Sequence, residues 1–479
     1  MTELLVKSEN FKYKIKKEKF SGMLVDGIIY ASENLIRSIQ KEETYKQIIN
    51  VAHLPGIVEY SIGMPDIHWG YGFPIGGIAA IDAEEGVISP GGVGSDINCG
   101  VRAFTTPLFY NKIKNKINDL LNLIYHKIPA GVGLTGKIHL NRSDLSEVAR
   151  TGARWAVSNG LGFDEDLENI EDQGSLKEGS LDPVSKIAIK RGLDQLGTLG
   201  AGNHFIEIQR VEKIFNSDTA SKFGLREGQI TVMVHTGSRG FGYQICSDYL
   251  QAMQGVMRKY KIVLPDQQLA SAPIRSKEGK DYFSAMAAAS NYAWANREII
   301  GHFIREAFQE CIDCDPKEIK LLYDVAHNIA KFEKHKVRNR VRDLLVHRKG
   351  ATRAFGPGTI GLPDRYKSTG QPVIIPGDMG TASYILSGSD VAMKETFGTV
   401  CHGAGRVLSR RKAKQIADKE KLYSDLKKDG ITLKASSWRS VAEEIPEAYK
   451  DIDEIIRVVT ESGLAQKIAR LRPVGVIKG

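Results

Sequence analysis

Residues 89–102, SPGGVGSDINCGVR, place four glycines, an aspartate, an asparagine and one cysteine in fourteen positions. Gly91, Gly92, Gly94 and Gly100 reach backbone conformations closed to residues with a Cβ, so this segment can wrap tightly around an ion or a phosphate. Asp96 and Cys99 then stand as two anionic ligands three positions apart. A hard carboxylate beside a softer thiolate suits a divalent transition metal better than magnesium or calcium, which take oxygen alone. The plain alternative is a glycine-rich turn with a buried cysteine that only packs.

Ligand-type residues recur where apolar runs end. GTLGAGNHFIEIQ, residues 197–209, reads as a strand from Asn203 onward, with Asn203 and Glu207 on one face and His204 on the other. TVMVHTGSRGFG ends an apolar strand at His235, and LLYDVAHNIA sets His327 and Asn328 just after Asp324 at the end of another. Each histidine alone reads as a core or surface residue. Three of them at strand ends, taken with Asp96 and Cys99, could hold one metal or two, with manganese, zinc or iron all compatible with N, O and S donors. His68, framed by Met64, Pro65, Asp66 and Trp69, reads equally as a turn residue or as a wall of the site.

The C-terminal third brings groups suited to phosphate. IIPGDMGTASYIL has a turn at Pro376 and Gly377, then Asp378, Met379, Thr381 and Ser383, whose exposed amides and hydroxyls could hold a phosphate or a base edge. In TVCHGAGRVLSRRKAKQ, His402 precedes Gly403, Ala404 and Gly405 and then a basic helical run. A glycine turn opening a helix cradles phosphate, and a histidine at its mouth could attack phosphorus. The plain reading is a capped surface helix with solvated charges. Lys427 to Gly430 match the Lys-x-Asp-Gly pattern of lysine-nucleophile ligases, but here Asp-Gly ends a polar amphipathic helix, where it is an ordinary terminator.

Composition bounds these readings. A chain of 479 residues, 42% hydrophobic and 26% charged, can bury a large core, and a net charge of +9 with five cysteines in no regular framework points toward a polyanionic partner and a reducing compartment. The N-terminus lacks the apolar core of a signal peptide or membrane span, so a cytoplasmic protein is expected. Periodicity predicts an amphipathic helix over residues 27–54, short strands from Pro55 into the glycine loop, helices near 112–126 and 144–159, and a Gly/Asp/Glu-rich mobile surface loop over 160–182.

SPGGVGSDINCGVR, GAGNHFIEI, MVHTGSRGFG, DVAHN, IPGDMGTASY, CHGAGR and the terminal RPVGVIKG, in this order and over essentially the whole length, closely resemble the RtcB-type RNA ligases. The resemblance implies a single compact α+β catalytic domain over residues 1–479. It implies a manganese- and GTP-dependent enzyme that joins an RNA 3′-phosphate, or a 2′,3′-cyclic phosphate it first opens, to a 5′-hydroxyl in tRNA splicing or RNA repair. Asp96, Cys99, His204, His235 and His327 match the ligands of two manganese ions, with Cys99 as the bridge, and His402 matches the nucleophile that takes GMP. Asn203 matches a residue near the nucleotide phosphate and Glu207 one that reads guanine. His204, Phe205, Ile206, His327, Asn328, Pro376, Gly377, Asp378, Met379, Ser383, Gly403, Ala404, Gly405 and Lys478 complete the nucleotide contacts. Ser95 stands where the family often has a bulkier residue. Arg239, Lys349, Arg353, Arg406 and Arg410 are expected at RNA phosphates, cleaved tRNA halves are the expected substrate, and an archease-type activator is an expected partner. A metallophosphoesterase using the same ligands, or a basic RNA-binding scaffold with a structural metal, are the competing functions.

Overall fold

The glycine loop runs directly into a strand, Gly100–Phe109, whose first seven residues are buried. In the computed structural model, which describes residues 4–479, this strand is second in an eight-stranded sheet. Seven strands run across it as Lys320–Ala326, Gly100–Phe109, Gln229–Thr236, Phe205–Ile214, Ala465–Lys478, Ser383–Gly388 and Pro372–Ile375, and Thr432–Ala435 adds a parallel eighth beside Ala465–Lys478. A second sheet of seven strands is ordered Val6–Glu9, Lys12–Ile15, Asp26–Tyr30, Ile57–His68, Ile75–Asp82, Arg340–Lys349 and Asn328–Val337. The sheets meet in one residue. Lys320–Ala326 ends one sheet path and Asn328–Val337 begins an edge of the other, so His327 is the hinge residue between them.

Behind the first sheet runs a helix of 36 residues, Lys277–Ile312, buried along nearly all of its length. Its small central residues, Ala285, Ala287, Ala288, Ala289, Ala293 and Ala295, let helices Arg142–Thr151, Ala153–Ser158 and Arg239–Lys259 pack close to it. The result is a mixed helix-and-sheet domain with several sheets, as the α+β reading expects. No helix among the described residues is long and apolar enough to cross a membrane.

Two expectations from periodicity fail. Residues 27–54 do not form one helix: Asp26–Tyr30 is a strand, followed by helices Glu33–Lys41 and Tyr45–Val51. Ile28 and Ile29, which fit a helical stripe, instead pair in parallel with Ile62 and Gly63, and Ser32 starts the first helix by accepting from the Leu35 amide. A short apolar run is compatible with either state, and the neighbouring strand decides it.

Nor is 160–182 a loose excursion. It holds the short helix Asp164–Leu167 and a turn Glu171–Gly174, and two of its acidic residues, Asp166 and Glu171, are buried. Asp166 takes a two-pronged ion pair from buried Arg305 at 2.6 and 2.8 Å, and buried Glu171 accepts from Lys331 and from the Ala326 amide at 2.8 Å. These partners are supplied by distant segments, so the stretch looks solvated only when read alone.

Candidate active site

Strand register gathers the predicted ligands at one end of the eight-stranded sheet. Gly100 pairs with both Thr236 and Ala326, Phe205 pairs with His235, and Lys478 pairs with Phe205. Cys99, His204, His235 and His327 therefore leave four different chain segments at the same level. Their atoms converge: Cys99 Sγ lies 3.2 Å from His204 Nε2 and 3.3 Å from His235 Nε2, His235 Nε2 lies 3.2 Å from His327 Nε2, and His204 Nε2 lies 2.7 Å from Asp96 Oδ2. Two groups suited to a metal result, Asp96–Cys99–His204 and Cys99–His235–His327, with the sulfur common to both. Donor atoms around a tetrahedral ion with bonds of about 2.0–2.3 Å sit roughly 3.3–3.8 Å apart. The 3.2–3.3 Å separations around Cys99 and His235 are close to those of a coordinated cation, while the 2.7 Å between Asp96 and His204 is of hydrogen-bond length.

The protonation chemistry agrees with the geometry. Burial, followed by the neighbouring histidines, pushes His235 and His327 well below the ordinary imidazole value, which leaves them as neutral rings able to ligate. Burial and then the Asp96 carboxylate push the Cys99 thiol up, so an incoming cation would displace its proton. Burial alone would raise Asp96, but the facing His204 ring lowers it overall. The Nδ1 atoms of His204 and His235 are buried without a hydrogen-bond partner among the described residues, so packing orients these rings. His235 makes an edge contact with Phe205 at 5.3 Å between ring centres. Gly237 has no room for a side chain, since a Cβ there would stand 2.4 Å from Asp96 Oδ1.

A buried guanidinium holds three of these segments together. Arg297 donates to the Asn98 carbonyl at 2.7 Å, to the Asn98 side chain at 3.0 Å, to the Thr236 carbonyl at 3.0 Å and to Asp324 at 2.8 Å. Asn98, Thr236 and Asp324 lie within three residues of Cys99, His235 and His327. Asn98 takes a φ of +50°, a strained value for a residue with a Cβ, and these bonds stabilise it. Asn328, expected at the nucleotide, spends its amide on the frame, donating to the Asp96 carbonyl at 3.1 Å and accepting from Gly350 at 2.8 Å.

His402 faces this centre, its ring 5.0 Å from that of His327. Its Nδ1 lies 2.6 Å from Asp66 Oδ2, which also accepts from the His402 amide at 3.0 Å and the Gly403 amide at 3.4 Å. Asp66 is fully buried. Burial would raise its pKa, but His402 lowers it overall. With Asp66 accepting at Nδ1, the tautomer leaves the lone pair on Nε2. Asp66 was read from the sequence only as part of a rigid frame around His68, and no local pattern marks it as the partner of a residue 336 positions away. His68 itself hydrogen-bonds the Asp66 carbonyl at 2.9 Å, and burial drives its pKa to about 3.

The glycine turn after His402 does not open a helix, which begins only at Arg410. Gly405, at φ +71°, instead allows close approach to the strand that carries Asp66, since a Cβ would stand 2.2 Å from the Asp66 carbonyl oxygen. Ala404 is buried in the core beside it.

The other predicted nucleotide residues cluster near Lys478. Its Nζ donates to Asn203 Oδ1 at 3.2 Å and lies 5.4 Å from the centre of the Phe205 ring, and burial lowers its pKa. The strand begins at Phe205 rather than Asn203; Asn203 meets Lys478 while His204 meets Asp96. Glu207 is buried, accepts from Gln209 at 2.8 Å, and is pushed by burial up to about 8. Gln209 also donates to Ser383 at 3.1 Å, which accepts from Gly377 at 3.2 Å. Asp378 is buried and raised by burial, while its carboxylate accepts from Gly380 at 2.8 Å and Thr381 at 2.9 Å. The hydroxyls of Thr381 and Ser383, expected to be exposed, are thus engaged with their own turn. Pro376 and Met379 shape that turn, Met379 from a small apolar cluster. Ile206 lies in the main core, on the opposite side of the strand from Phe205.

Several basic residues expected at RNA are committed elsewhere. Arg353 is buried against Asp172 at 3.1 Å, Lys349 donates to the Tyr71 and Phe73 carbonyls at 2.6 and 3.1 Å, and Arg406 pairs with buried Glu444 at 2.7 Å. Arg239 donates to Thr198 at 3.1 Å and to the Gly131 carbonyl at 3.0 Å. Arg410 pairs with Glu444 at 3.3 Å but keeps its side chain 59% exposed.

Comparison with known proteins converges on one family. The profile described as tRNA-splicing ligase RtcB matches residues 47–479. The protein named tRNA-splicing ligase RtcB from Thermococcus kodakarensis is 51% identical over 459 residues, 95% of each chain. Those of the same name from Archaeoglobus fulgidus and Aeropyrum pernix are 49% identical over 481 residues and 48% over 475, covering 100% and 98% of both chains.

Proposed function

The chain belongs to the RtcB family of tRNA-splicing ligases and is an RNA ligase; from that premise we propose a GTP- and manganese-dependent reaction in which His402 carries GMP. The observation that bears most weight is the Asp66–His402 pair at 2.6 Å, facing side chains that could hold metal and are linked through the Cys99 sulfur. Two manganese ions would be held by Asp96, Cys99 and His204 and by Cys99, His235 and His327. When bound, manganese supplies charge neutralisation at phosphate oxygens.

In the first step, His402 Nε2 forms a bond to the α-phosphorus of GTP and pyrophosphate leaves. The ring gains positive charge, which the Asp66 carboxylate at Nδ1 stabilises. An oxygen of the RNA 3′-phosphate then takes the GMP and releases neutral His402. Finally the 5′-hydroxyl attacks the activated 3′-phosphorus, and GMP departs as the strand closes. Ends bearing a 2′,3′-cyclic phosphate would first be opened by water. Lys478, Asn203, the turn at Pro376–Met379, Ser383 and residues 403–405 would line the nucleotide, with the whole chain acting as one catalytic unit on cleaved tRNA halves in the cytoplasm, and with an archease-type activator as partner.

The test is direct. Incubation with labelled GTP and manganese should give a protein adduct one GMP heavier, acid-labile and base-stable, mapping to His402 and absent in His402→Ala. An enzyme that only hydrolysed phosphates would give no adduct.

Glu207 fits guanine because a carboxylate can accept from the two adjacent N–H donors on that base edge, where adenine presents an acceptor. In the free protein its pKa of about 8 lies above the ordinary 4.5, so folding retains a proton and stability falls as pH rises from about 4.5 through about 8. Guanine donors favour the carboxylate, so GTP binding at pH 7 should release a proton and tighten as pH approaches 8. Calorimetry in buffers of different ionisation enthalpy should show that release, and Glu207→Gln should remove it.

A further inference from the structure

Two large aromatic side chains stand in solvent on the loop that follows Asp66, the partner of His402: Trp69 is 51% exposed and Tyr71 47% exposed. The loop that presents them, between strands Ile57–His68 and Ile75–Asp82, is tied down residue by residue. Trp69 Nε1 donates to the Glu42 carbonyl at 2.6 Å, which fixes the indole edge. Fully buried Gln47 accepts from the Gly70 amide at 3.1 Å and donates to the Gly70 and Gly72 carbonyls at 2.7 and 3.1 Å. The Lys349 ammonium takes the carbonyls of Tyr71 and Phe73. A loop this constrained does not owe its exposed aromatics to disorder.

Its position is set by the same lysine. A Cβ on Gly94, in the metal-ligand loop, would lie 3.4 Å from Lys349 Cε, and one on Gly350, the next residue, would lie 3.1 Å from His402 Cε1. Trp69 follows by three positions the Asp66 that holds His402. The aromatic loop is therefore tied through Lys349 and its neighbour Gly350 to both the Gly94 loop and His402.

We propose that Trp69 and Tyr71 form a stacking platform for the terminal base of a single-stranded RNA end. Unpaired RNA ends are held by stacking on aromatic side chains, which tolerates any base because every base has a π-face. That tolerance suits an enzyme joining ends of differing sequence. The inference rests on the RNA-joining reading above.

The test uses the full-length enzyme and two oligoribonucleotides, one with a 3′-phosphate and one with a 5′-hydroxyl, each carrying 2-aminopurine at that end. Wild-type protein should quench the terminal fluorophore of at least one. Trp69→Ala should weaken binding of that oligonucleotide about tenfold and abolish the quench, while Trp69→Phe should stay within about threefold of wild type. GMP labelling needs no RNA and should change by less than about twofold, which also reports an intact fold. Unchanged affinity and quenching for both oligonucleotides in a Trp69→Ala/Tyr71→Ala double variant would overturn the proposal. In wild type, terminal 5-iodouridine should photocrosslink to residues 69–71, and crosslinks confined to other segments would equally overturn it. Absence of GMP labelling in wild type would count against the His402 reading and leave the RNA-binding result intact, so the two failures are distinguishable.

Discussion

Cys99→Ala is expected to abolish GMP transfer and RNA joining while leaving the fold largely in place. The sulfur belongs to both ligand groups, lying 3.2 Å from His204 Nε2 and 3.3 Å from His235 Nε2. Among the described residues no other side chain is shared in this way, so one substitution weakens two candidate cation sites at once. The structural cost is small by comparison, because trimming the buried CH2SH side chain to a methyl removes one heavy atom, about 1 kcal/mol. The backbone around it stays anchored by Arg297 on Asn98 and by the Cys99 carbonyl, which accepts from the His327 amide at 2.9 Å. We expect GMP labelling to fall by more than about a thousandfold while Tm moves only a few degrees. Manganese titration followed by calorimetry should give two ions in wild type and fewer in the variant. Retained joining activity in Cys99→Ala would remove the shared-thiolate reading.

Asp66→Asn is expected to slow GMP transfer to His402 by about a hundredfold to ten-thousandfold with little change in GTP affinity. Asp66 Oδ2 accepts from three donors, His402 Nδ1 and the His402 and Gly403 amides. An asparagine keeps the shape but brings an N–H₂ that can face Nδ1, which favours the tautomer with its proton on Nε2 and leaves the nucleophilic atom without a lone pair. It also removes the negative charge opposite the ring as positive charge develops there. Both effects act on the chemical step, so single-turnover labelling should lose rate at saturating GTP while half-saturation stays near the wild-type value. A variant within tenfold of wild type would show that packing against His327 orients His402 without help from the carboxylate.

Much of the candidate metal centre was legible because its signals are local. Gly94 and Gly100 beside Asp96 and Cys99, and histidines where apolar strands stop, are readable within a dozen residues, since glycine's backbone freedom and strand alternation act over neighbouring positions. The acidic stretch at 160–182 and the isoleucines of Asp26–Tyr30 misled for the complementary reason. Glu171 is buried because Lys331 comes to it, and Ile28 is in a strand because Ile62 lies beside it. The basic residues Lys349 and Arg353 likewise looked free for phosphate until carbonyls and Asp172 from other segments claimed them.

By itself, then, the chain of residues determined which groups could bind a metal or attack phosphorus. Tertiary structure alone decided that Cys99 is shared between two candidate ligand groups, that Asp66 holds Nδ1 of His402, and that Arg297 braces the segments that carry them. Those facts depend on register and packing between segments separated by as many as 336 positions, where hydrogen-bond geometry is satisfied across space and leaves no trace in local spacing.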